Sequence, residues 1–249
     1  MTVLAFDTSG SVLSLTLLLA AAGGGSDSHG APERPQALHM LRDTGLHHAE
    51  HLAGAARELL AAAGMSVADV DLIACAGGPG SFTGLRIGMA TAKGFAAARN
   101  VPFVAVPTLD IWAELYGYWP GVVVPVLDAR KRRFYAAVYA GGQKLTADLD
   151  EAPESILERA QKAARVAVER LPPGDPRVAA SHAILIVGPD AAAFAASLDP
   201  GHVVVAPPSD TLPSHALARI AGGRFRTEGA APTGIGPSYV RKSDAELGG

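Results

Sequence analysis

A glycine-rich turn between an apolar stretch and a helical stretch is the feature that most constrains the fold. Residues 72–76 read LIACA, a short buried strand, and residues 77–84 read GGPGSFTG, a turn that leads into a helix predicted over residues 81–100. A strand, a glycine turn and a helix opened by hydroxyl residues make an arrangement in which free backbone N–H groups bind anions. The helix also carries a small residue at every fourth position, where another helix can come close. The segment predicts an α/β fold and leaves two functions open, a phosphate loop and a protein interface.

The turn matches neither of the common nucleotide-binding motifs. A Walker loop needs Gly-Lys followed by Ser or Thr at the helix start, whereas Gly84 is followed here by Leu85 and Arg86. A G-x-G-x-x-G fingerprint would need its βαβ context and a later acidic ribose ligand. Ser81 or Thr83 is the predicted N-cap, because their hydroxyls can accept hydrogen bonds from the first free N–H groups of the helix.

The stripe of small residues on this helix needs an explanation of its own. Gly84 and Gly88 each cost about 1 kcal/mol relative to alanine in a helix interior, so helix propensity does not select them. Together with Ala92 and Ala96 they form one face, and close contact with another helix would offset the cost. That contact is either internal, against a helix predicted over residues 48–63, or a subunit interface that both helices form.

The order of predicted elements repeats along the chain. Each half, residues 1–110 and residues 111–249, reads as a strand hairpin, a helix, a strand and a further helix. Such a repeat predicts two α/β lobes with a cleft between them. Residues 20–36 are rich in Gly, Ser and Pro without periodicity, and they are predicted to form a loop. A terminal helix is predicted over residues 213–227.

Two aspartates end corresponding strands of the two halves. Asp7 is followed by Thr8 and Ser9, and Asp128 lies two residues before Arg130. In a two-lobed α/β protein both carboxylates would face the cleft, where ligands usually bind. There an aspartate can hold a water on Mg²⁺ or act as a base, and the hydroxyls can bind a phosphate. The structural alternative is that Asp7 caps a turn and Asp128 pairs with Arg130.

A histidine pattern precedes the glycine-rich turn. Residues 47–51 spell H-x-x-E-H, an inverted zinc-peptidase pattern in which His47 and His51 share one helix face and Glu50 activates a zinc-bound water. Catalytic zinc needs a third protein ligand, and residues 81–100 contain no Asp, Glu, His or Cys. The pattern therefore favours an amphipathic helix with Glu50 near the positive end of its dipole, and no metal is predicted.

The composition narrows the class of protein. Charged residues make up 18% of the 249 residues and the net charge is −3, which argues against a dedicated nucleic-acid binder. Cys75 is the single cysteine and no basic leader segment opens the chain, so we expect a cytoplasmic protein without disulfides. The apolar residues 12–22 are too few to cross a bilayer. The one basic cluster, residues 130–133, raises the hypothesis of direct tRNA binding, but a four-residue patch supplies few phosphate contacts, so a solvated hairpin turn is favoured.

Taken together, these segments resemble the TsaB (YeaZ) family over nearly the whole chain. The strongest match is GPGSFTGLRIG at residues 78–88, a long and specific family motif. The supporting matches are LAFDTS at residues 4–9, HAE at 48–50 (where the family has His-Ser-Glu), VLDARK at 126–131, YAAVY at 135–139 and PSYVR at 237–241.

The resemblance implies a two-lobed actin/Hsp70/sugar-kinase-like fold with duplicated ribonuclease-H-like halves. It also implies a non-catalytic subunit of the bacterial machinery that adds threonylcarbamoyl to adenosine 37 of tRNA. The implied partners are a catalytic TsaD-type subunit, a TsaE-type ATPase and a second copy of the chain, with tRNA met only through the complex. No cofactor and no membrane are expected. The catalytic relative has metal-binding histidines after the strand that follows the glycine-rich helix, and residues 106–111 here read VPTLDI, without histidine.

The resemblance further implies that the helices over residues 48–63 and 81–100 dock the partner. The implied interface residues are Gly84, Leu85, Gly88, Ala92, Ala96, His48 and Leu52. A remnant of a nucleotide cleft is expected at Asp7, Thr8, Ser9, Gly80, Ser81, Asp128 and Arg130. The alternative function is that of a nucleotide- or metal-dependent enzyme, either a degenerate phosphotransferase that uses Asp7 and Asp128 or a glycoprotease-like peptidase.

Overall fold

The chain divides into two compact units, and each is built from two separate segments. One unit comprises Met1–Pro107 with Leu212–Pro237, and the other comprises Thr108–Thr211 with Ser238–Gly249. The computed structural model describes residues 1–19, 36–45, 47–169, 183–198, 203–206, 212–232 and 234–240. The loop predicted over residues 20–36 therefore lies, except for Gln36, outside the described residues.

The first unit contains a five-stranded mixed sheet. Its strands lie in the order β3-β2-β1-β4-β5, with β1, β2 and β3 antiparallel and β4 and β5 parallel to β1. The strands are β1 (Val3–Asp7), β2 (Val12–Leu18), β3 (Ala37–Asp43), β4 (Leu72–Ala76) and β5 (Phe103–Val106). The short turn between β1 and β2 brings the chain back beside itself, while the connections to β4 and β5 pass through helices, as parallel pairing requires.

Two helices cover one face of this sheet. Helix α1 (His48–Ala62) and helix α2 (Phe82–Arg99) both contribute buried side chains to the core that also contains Leu13 and Leu15 of β2. A single turn of 3₁₀-helix (Val67–Asp69) precedes β4. Both helices begin and end within one residue of the predicted bounds. In each of them buried residues recur at the helical spacing, and the residues that follow end the helix.

The C-terminal helix, α6 (Pro213–Glu228), packs on the other face of the same sheet, against β1, β2, β4 and β5. Side chains alternate along a strand, so Ser14 and Thr16 point away from the α1–α2 core and towards α6. Ser214 Oγ lies 2.7 Å from both Ser14 Oγ and Thr16 Oγ1, and all three residues are buried. The sequence division at residues 110 and 111 puts this helix in the second half, whereas the structure packs it into the first unit.

Two histidines extend this polar contact and make it sensitive to protons. His39 Nδ1 lies 2.9 Å from Thr16 Oγ1, and the rings of His39 and His215 meet edge to face at 5.2 Å. Burial lowers the pKa of both imidazoles; His215 lowers that of His39 further, and Arg219 that of His215. His215 Nδ1 is buried and has no hydrogen-bond partner among the described residues.

The stability of the protein should therefore fall as the pH drops below about 6.5, the ordinary pKa of histidine. In that range the unfolded chain takes up protons that the folded chain resists, so protonation favours unfolding, and the loss levels off below the folded pKa values. Urea unfolding at pH 7.5 and 5.5 measures this, with a His39→Gln/His215→Gln variant as the control for other titrating groups. An equal pH dependence in the variant and the natural chain would contradict it.

The second unit repeats the strand order of the first. Its sheet runs β10-β7-β6-β11-β12, with β7 antiparallel to β6, and β11 and β12 parallel to it. The strands are β6 (Val122–Asp128), β7 (Phe134–Ala136), β8 (Tyr139–Ala140), β9 (Gln143–Lys144), β10 (Leu149–Glu151), β11 (Ile184–Val187) and β12 (Val204–Val205). The helices are α3 (Thr108–Glu114), α4 (Pro153–Glu169) and α5 (Ala191–Ala196).

This repeat confirms the predicted fold class. Each unit has an antiparallel three-strand meander followed by two parallel strands, which is the duplicated ribonuclease-H-like pattern of the actin/Hsp70/sugar-kinase-like fold. Within the described residues, no helix combines the length and the apolar character that crossing a bilayer would demand.

Candidate functional site

The turn after β1 holds a buried carboxylate. Asp7 is 4% exposed, and its Oδ1 accepts a hydrogen bond of 2.8 Å from the Ser9 N–H two residues later. Burial raises the pKa of Asp7, while the hydrogen bonds from Ser9 and the nearby His48 partly counteract the rise. Asp7 thus caps its own turn, as the structural alternative from the sequence predicts.

The start of helix α2 lies directly on this turn. Thr8 Oγ1 donates a hydrogen bond of 2.8 Å to the Gly84 carbonyl. A Cβ at Gly84 would stand 2.0 Å from the Thr8 carbonyl oxygen, and one at Gly88 would stand 2.3 Å from Thr8 Oγ1. Both glycines are therefore required by contact with the β1–β2 turn of the same chain. The contact that offsets their cost in the helix is thus with a turn and not with a helix.

The glycine-rich turn is joined to the same place by its backbone. Ser81 N–H donates to the Ser9 carbonyl at 2.7 Å, and Ser81 Oγ accepts from Gly84 N–H at 3.2 Å as the N-cap of α2. Gly80 has φ +157°, and a Cβ there would lie 2.7 Å from the Ser9 carbonyl oxygen. The structure thus brings together five residues of the expected nucleotide cleft, Asp7, Thr8, Ser9, Gly80 and Ser81. Their polar groups bond to one another and to Gly84, and nucleotide binding stays a prediction.

The turn after β6 repeats this arrangement in the second unit. Asp128 Oδ1 accepts from Arg130 N–H at 2.7 Å, and its Oδ2 lies 3.4 Å from the Arg130 guanidinium. Asp190, which follows β11 as Gly80 follows β4, accepts a hydrogen bond of 2.8 Å from Asp128 N–H. Unlike Asp7, Asp128 is exposed. The sequence reasoning missed Asp190, although its place in the repeat, after Gly188 and Pro189, could have indicated it.

The histidine pattern has a structural role in its middle residue. His48 is fully buried; its Nε2 donates to the Gly10 carbonyl at 2.7 Å, and its Nδ1 lies 2.8 Å from Thr44 Oγ1. A carbonyl can only accept, so this contact fixes the proton on Nε2. His47 pairs with Glu50 at the exposed start of α1, 3.3 Å apart. Nowhere in the described part of the chain do three His, Cys, Asp or Glu side chains gather as metal ligands.

The residues expected at a partner interface face inward in the single chain. Two belong to α1 and five to α2, and each is buried against the chain's own sheet, turns or neighbouring helix: His48, Leu52, Gly84, Leu85, Gly88, Ala92 and Ala96. The partner interface itself stays a prediction. Leu85 and Met89, large apolar residues beside the small ones, are the sequence signal that this face belongs to the core.

The opposite side of both helices is exposed, and its residues are mostly small. We call this surface the outer face; it consists of Thr83, Arg86, Ala90, Gly94 and Ala97 on α2 and of Glu50, Ala53, Arg57 and Ala61 on α1. Gly94 lies on the outer face of α2, and Gly54, which is half-buried, lies beside the outer face of α1. Both are inside helices, yet a Cβ at either position would meet no described atom within 4 Å. The described part of the chain therefore gives no reason for a glycine at these two positions, and the same holds for Gly223 in α6. Sequence reasoning overlooked them because it followed the stripe that begins at Gly84.

The chain is similar to proteins of one tRNA-modification pathway. A family model described as TsaD: tRNA N6-adenosine threonylcarbamoyltransferase matches residues 42–206, more than half of the chain. The tRNA threonylcarbamoyladenosine biosynthesis protein TsaB of Bacillus subtilis is 31% identical over 139 residues, which cover 56% of this chain and 55% of that protein. TsaB of Escherichia coli is 32% identical over 126 residues, 46% of this chain and 53% of that protein.

A solved structure extends the similarity to nearly the whole chain. YeaZ from Pseudomonas aeruginosa superposes with a TM-score of 0.70 at 25% sequence identity, and the match covers 96% of this chain and 99% of that one. In sequence, by contrast, the chain spans about half the length of the curated relatives it matches.

Proposed function

This chain belongs to the family described by the TsaD model, and within it to the TsaB (YeaZ) group, and on that premise we propose that it is a non-catalytic subunit in N6-threonylcarbamoylation of adenosine 37 in tRNA. It acts by pairing with a catalytic TsaD-type subunit, and a TsaE-type ATPase joins the pair. The same surface lets two copies of the chain associate. The protein works in the cytoplasm and meets tRNA in the assembled complex.

The non-catalytic role is supported by how the polar residues of the first unit are used. The Thr8 hydroxyl, the Ser9 N–H and the Gly84 N–H, which an anion cradle would offer to a phosphate, each donate a hydrogen bond within the chain. Residues 106–111 also lack the histidines that the resemblance places there in the catalytic relative. Thr8 and Ser9 hold the start of α2 against the β1–β2 turn, so their role in this proposal is to shape the surface that α2 presents.

The docking surface in this proposal is the outer face of α1 and α2. The observation that carries it is the pair of helix-interior glycines, Gly54 and Gly94, that no contact within the described chain requires. Each costs about 1 kcal/mol relative to alanine. Close approach by the backbone of a partner helix would offset that cost, as small residues at helix crossings do. Ala90, exposed between Arg86 and Gly94, lies at the centre of the α2 part of this surface.

Reconstitution tests the proposed function. Unmodified tRNA, the TsaD-type and TsaE-type subunits and a source of threonylcarbamoyl-adenylate are incubated with and without this chain, and modified adenosine is measured by mass spectrometry of nucleosides. We expect modification only when the chain is present, together with a one-to-one complex of the chain and the TsaD-type subunit in gel filtration. Equal modification without the chain, or modification by the chain in the absence of the TsaD-type subunit, would contradict the proposal.

A further inference from the structure

The hairpin turn between β6 and β7 combines positive charge with an unfavourable backbone. Arg130, Lys131 and Arg132 have φ values of +64°, +56° and +58°, and all three are exposed. The turn closes by a hydrogen bond of 3.1 Å from Arg133 N–H to the Arg130 carbonyl. The left-handed conformation costs roughly 1–2 kcal/mol for each residue that has a Cβ, and turns of this kind normally use Asn and Gly. The turn has long cationic side chains at positions where smaller residues would make it more stable.

An open groove begins at the residue that follows this turn. It has a volume of about 490 Å³ and lies between β10 and the first half of α4. Its lining is charged or small, without an aromatic or large aliphatic side chain: Arg133, Glu151, Ala152, Ser155, Glu158, Arg159 and Lys162. We call this the α4 groove.

Part of the charge in the α4 groove is neutralised, and part is not. Arg159 binds Glu151 through two hydrogen bonds of 2.8 and 2.7 Å, and Arg133 Nε lies 2.7 Å from Asp150 Oδ1. Lys162, by contrast, has no carboxylate within 4 Å among the described residues, and the same holds for Lys131 and Arg132 of the turn. The paired arginines hold the walls of the groove. Lys162 in its lining and Lys131 and Arg132 on the preceding turn are available for an external anion, while Glu158 in the same lining forms no ion pair with a described residue and leaves one negative charge beside Lys162.

We propose that the basic turn and the α4 groove form a contact surface for the phosphate backbone of RNA. This inference rests on the proposed function, since tRNA is then the RNA at hand. Phosphates are recognised by cations and hydroxyls without apolar anchors, and this surface offers cations together with the Ser155 hydroxyl. A protein segment normally needs a buried aromatic or aliphatic anchor, which the lining of the groove lacks. The few free cations predict weak, salt-dependent binding that assists a complex.

A substitution that improves the turn while it removes charge tests this proposal. Lys131→Asn with Arg132→Gly gives the pair of residues that such a turn prefers, so the variant should fold at least as well as the natural chain. We expect it to bind a fluorescent, unmodified tRNA transcript about tenfold more weakly at 0.1 M salt and to lower the slope of log affinity against log salt by about 1 to 2. Lys131→Arg with Arg132→Lys keeps both charges and should bind as the natural chain does.

The outcomes separate this proposal from the proposed function. Equal RNA binding by the Asn-Gly variant and the natural chain, or RNA binding by neither, would overturn the surface. Polyglutamate that competes as well as RNA would assign the surface to acidic proteins and also overturn it. Gel filtration with the TsaD-type subunit should give the same complex for all variants, because the turn lies outside α1 and α2. Loss of that complex for the natural chain itself would instead count against the proposed function.

Discussion

Gly84→Ala is expected to destabilise the first unit by at least about 3 kcal/mol, at the upper end of what overpacking costs. The added methyl group would stand 2.0 Å from the Thr8 carbonyl oxygen, a backbone atom of the β1–β2 turn. No side-chain rotation relieves such a contact, so α2 must shift away from the turn. The shift would also break the hydrogen bond from Thr8 Oγ1 to the Gly84 carbonyl. Urea unfolding monitored by circular dichroism measures the loss.

Gly94→Ala in the same helix is the matched control, with the opposite sign. A Cβ at Gly94 meets nothing within 4 Å, so alanine should stabilise the helix by up to about 1 kcal/mol. The effect of Gly88→Ala on stability should lie between those of the other two substitutions. Its methyl group would stand 2.3 Å from the Thr8 hydroxyl, which belongs to a side chain and can therefore be removed by a second substitution. Thr8→Ala should recover part of the stability that Gly88→Ala loses, but not what Gly84→Ala loses. Similar stabilities for the Gly84→Ala and Gly94→Ala variants would show that the contact at Thr8 does not constrain α2.

Ala90→Arg is expected to weaken the complex with the TsaD-type subunit by about 100-fold or more and to leave the isolated chain folded. Ala90 is exposed, so an arginine there extends into solvent in the free chain. In a complex closed over the outer face, the same charge would be buried without a partner, at a cost of about 3–5 kcal/mol. Calorimetry of the two subunits, together with tRNA modification in the reconstituted reaction, measures the effect.

Ala192→Arg, at an exposed alanine of α5 in the second unit, is the control for a new surface charge and should bind as the natural chain does. Gly94→Ala adds a test of direction, since it should make the chain more stable and the complex weaker. Normal complex formation by the Ala90→Arg variant would rule out the outer face as the docking surface. An arginine at Gly88 would not be informative, because that position is buried against Thr8 and the variant would unfold for internal reasons.

Much of the fold could be predicted from local signals. The strand that ends at Asp7 and its counterpart that ends at Asp128 are both predicted by their runs of apolar residues. Helix α2 ends at Arg99, and the next residue, Asn100, has the left-handed φ of +52° that asparagine tolerates at a helix C-terminus. Because strands and helices could be predicted locally, their repeated order along the chain could be predicted too, and that order indicates the fold class.

The direction in which each face points was harder to predict than the helices themselves. The stripe from Gly84 to Ala96 satisfies both an internal and an external contact, and the spacing of small residues does not distinguish them. The position of Thr8 makes this contact internal, and Thr8 is 76 residues away from Gly84 along the chain. The place of α6 depends likewise on Ser14, 200 residues from Ser214. Contacts of such separation carry no local pattern.

The two-segment first unit has a consequence for the order in which the chain can fold during synthesis. A ribosome releases the larger segment of the second unit, Thr108–Thr211, before α6 emerges, so until then the first sheet has the face that carries Ser14 and Thr16 uncovered. The later-made unit, continuous up to Thr211, can close before the earlier one is complete. The last helix to leave the ribosome thus closes over the first strands made, and the face of the sheet that carries Ser14 and Thr16 stays uncovered until that helix arrives.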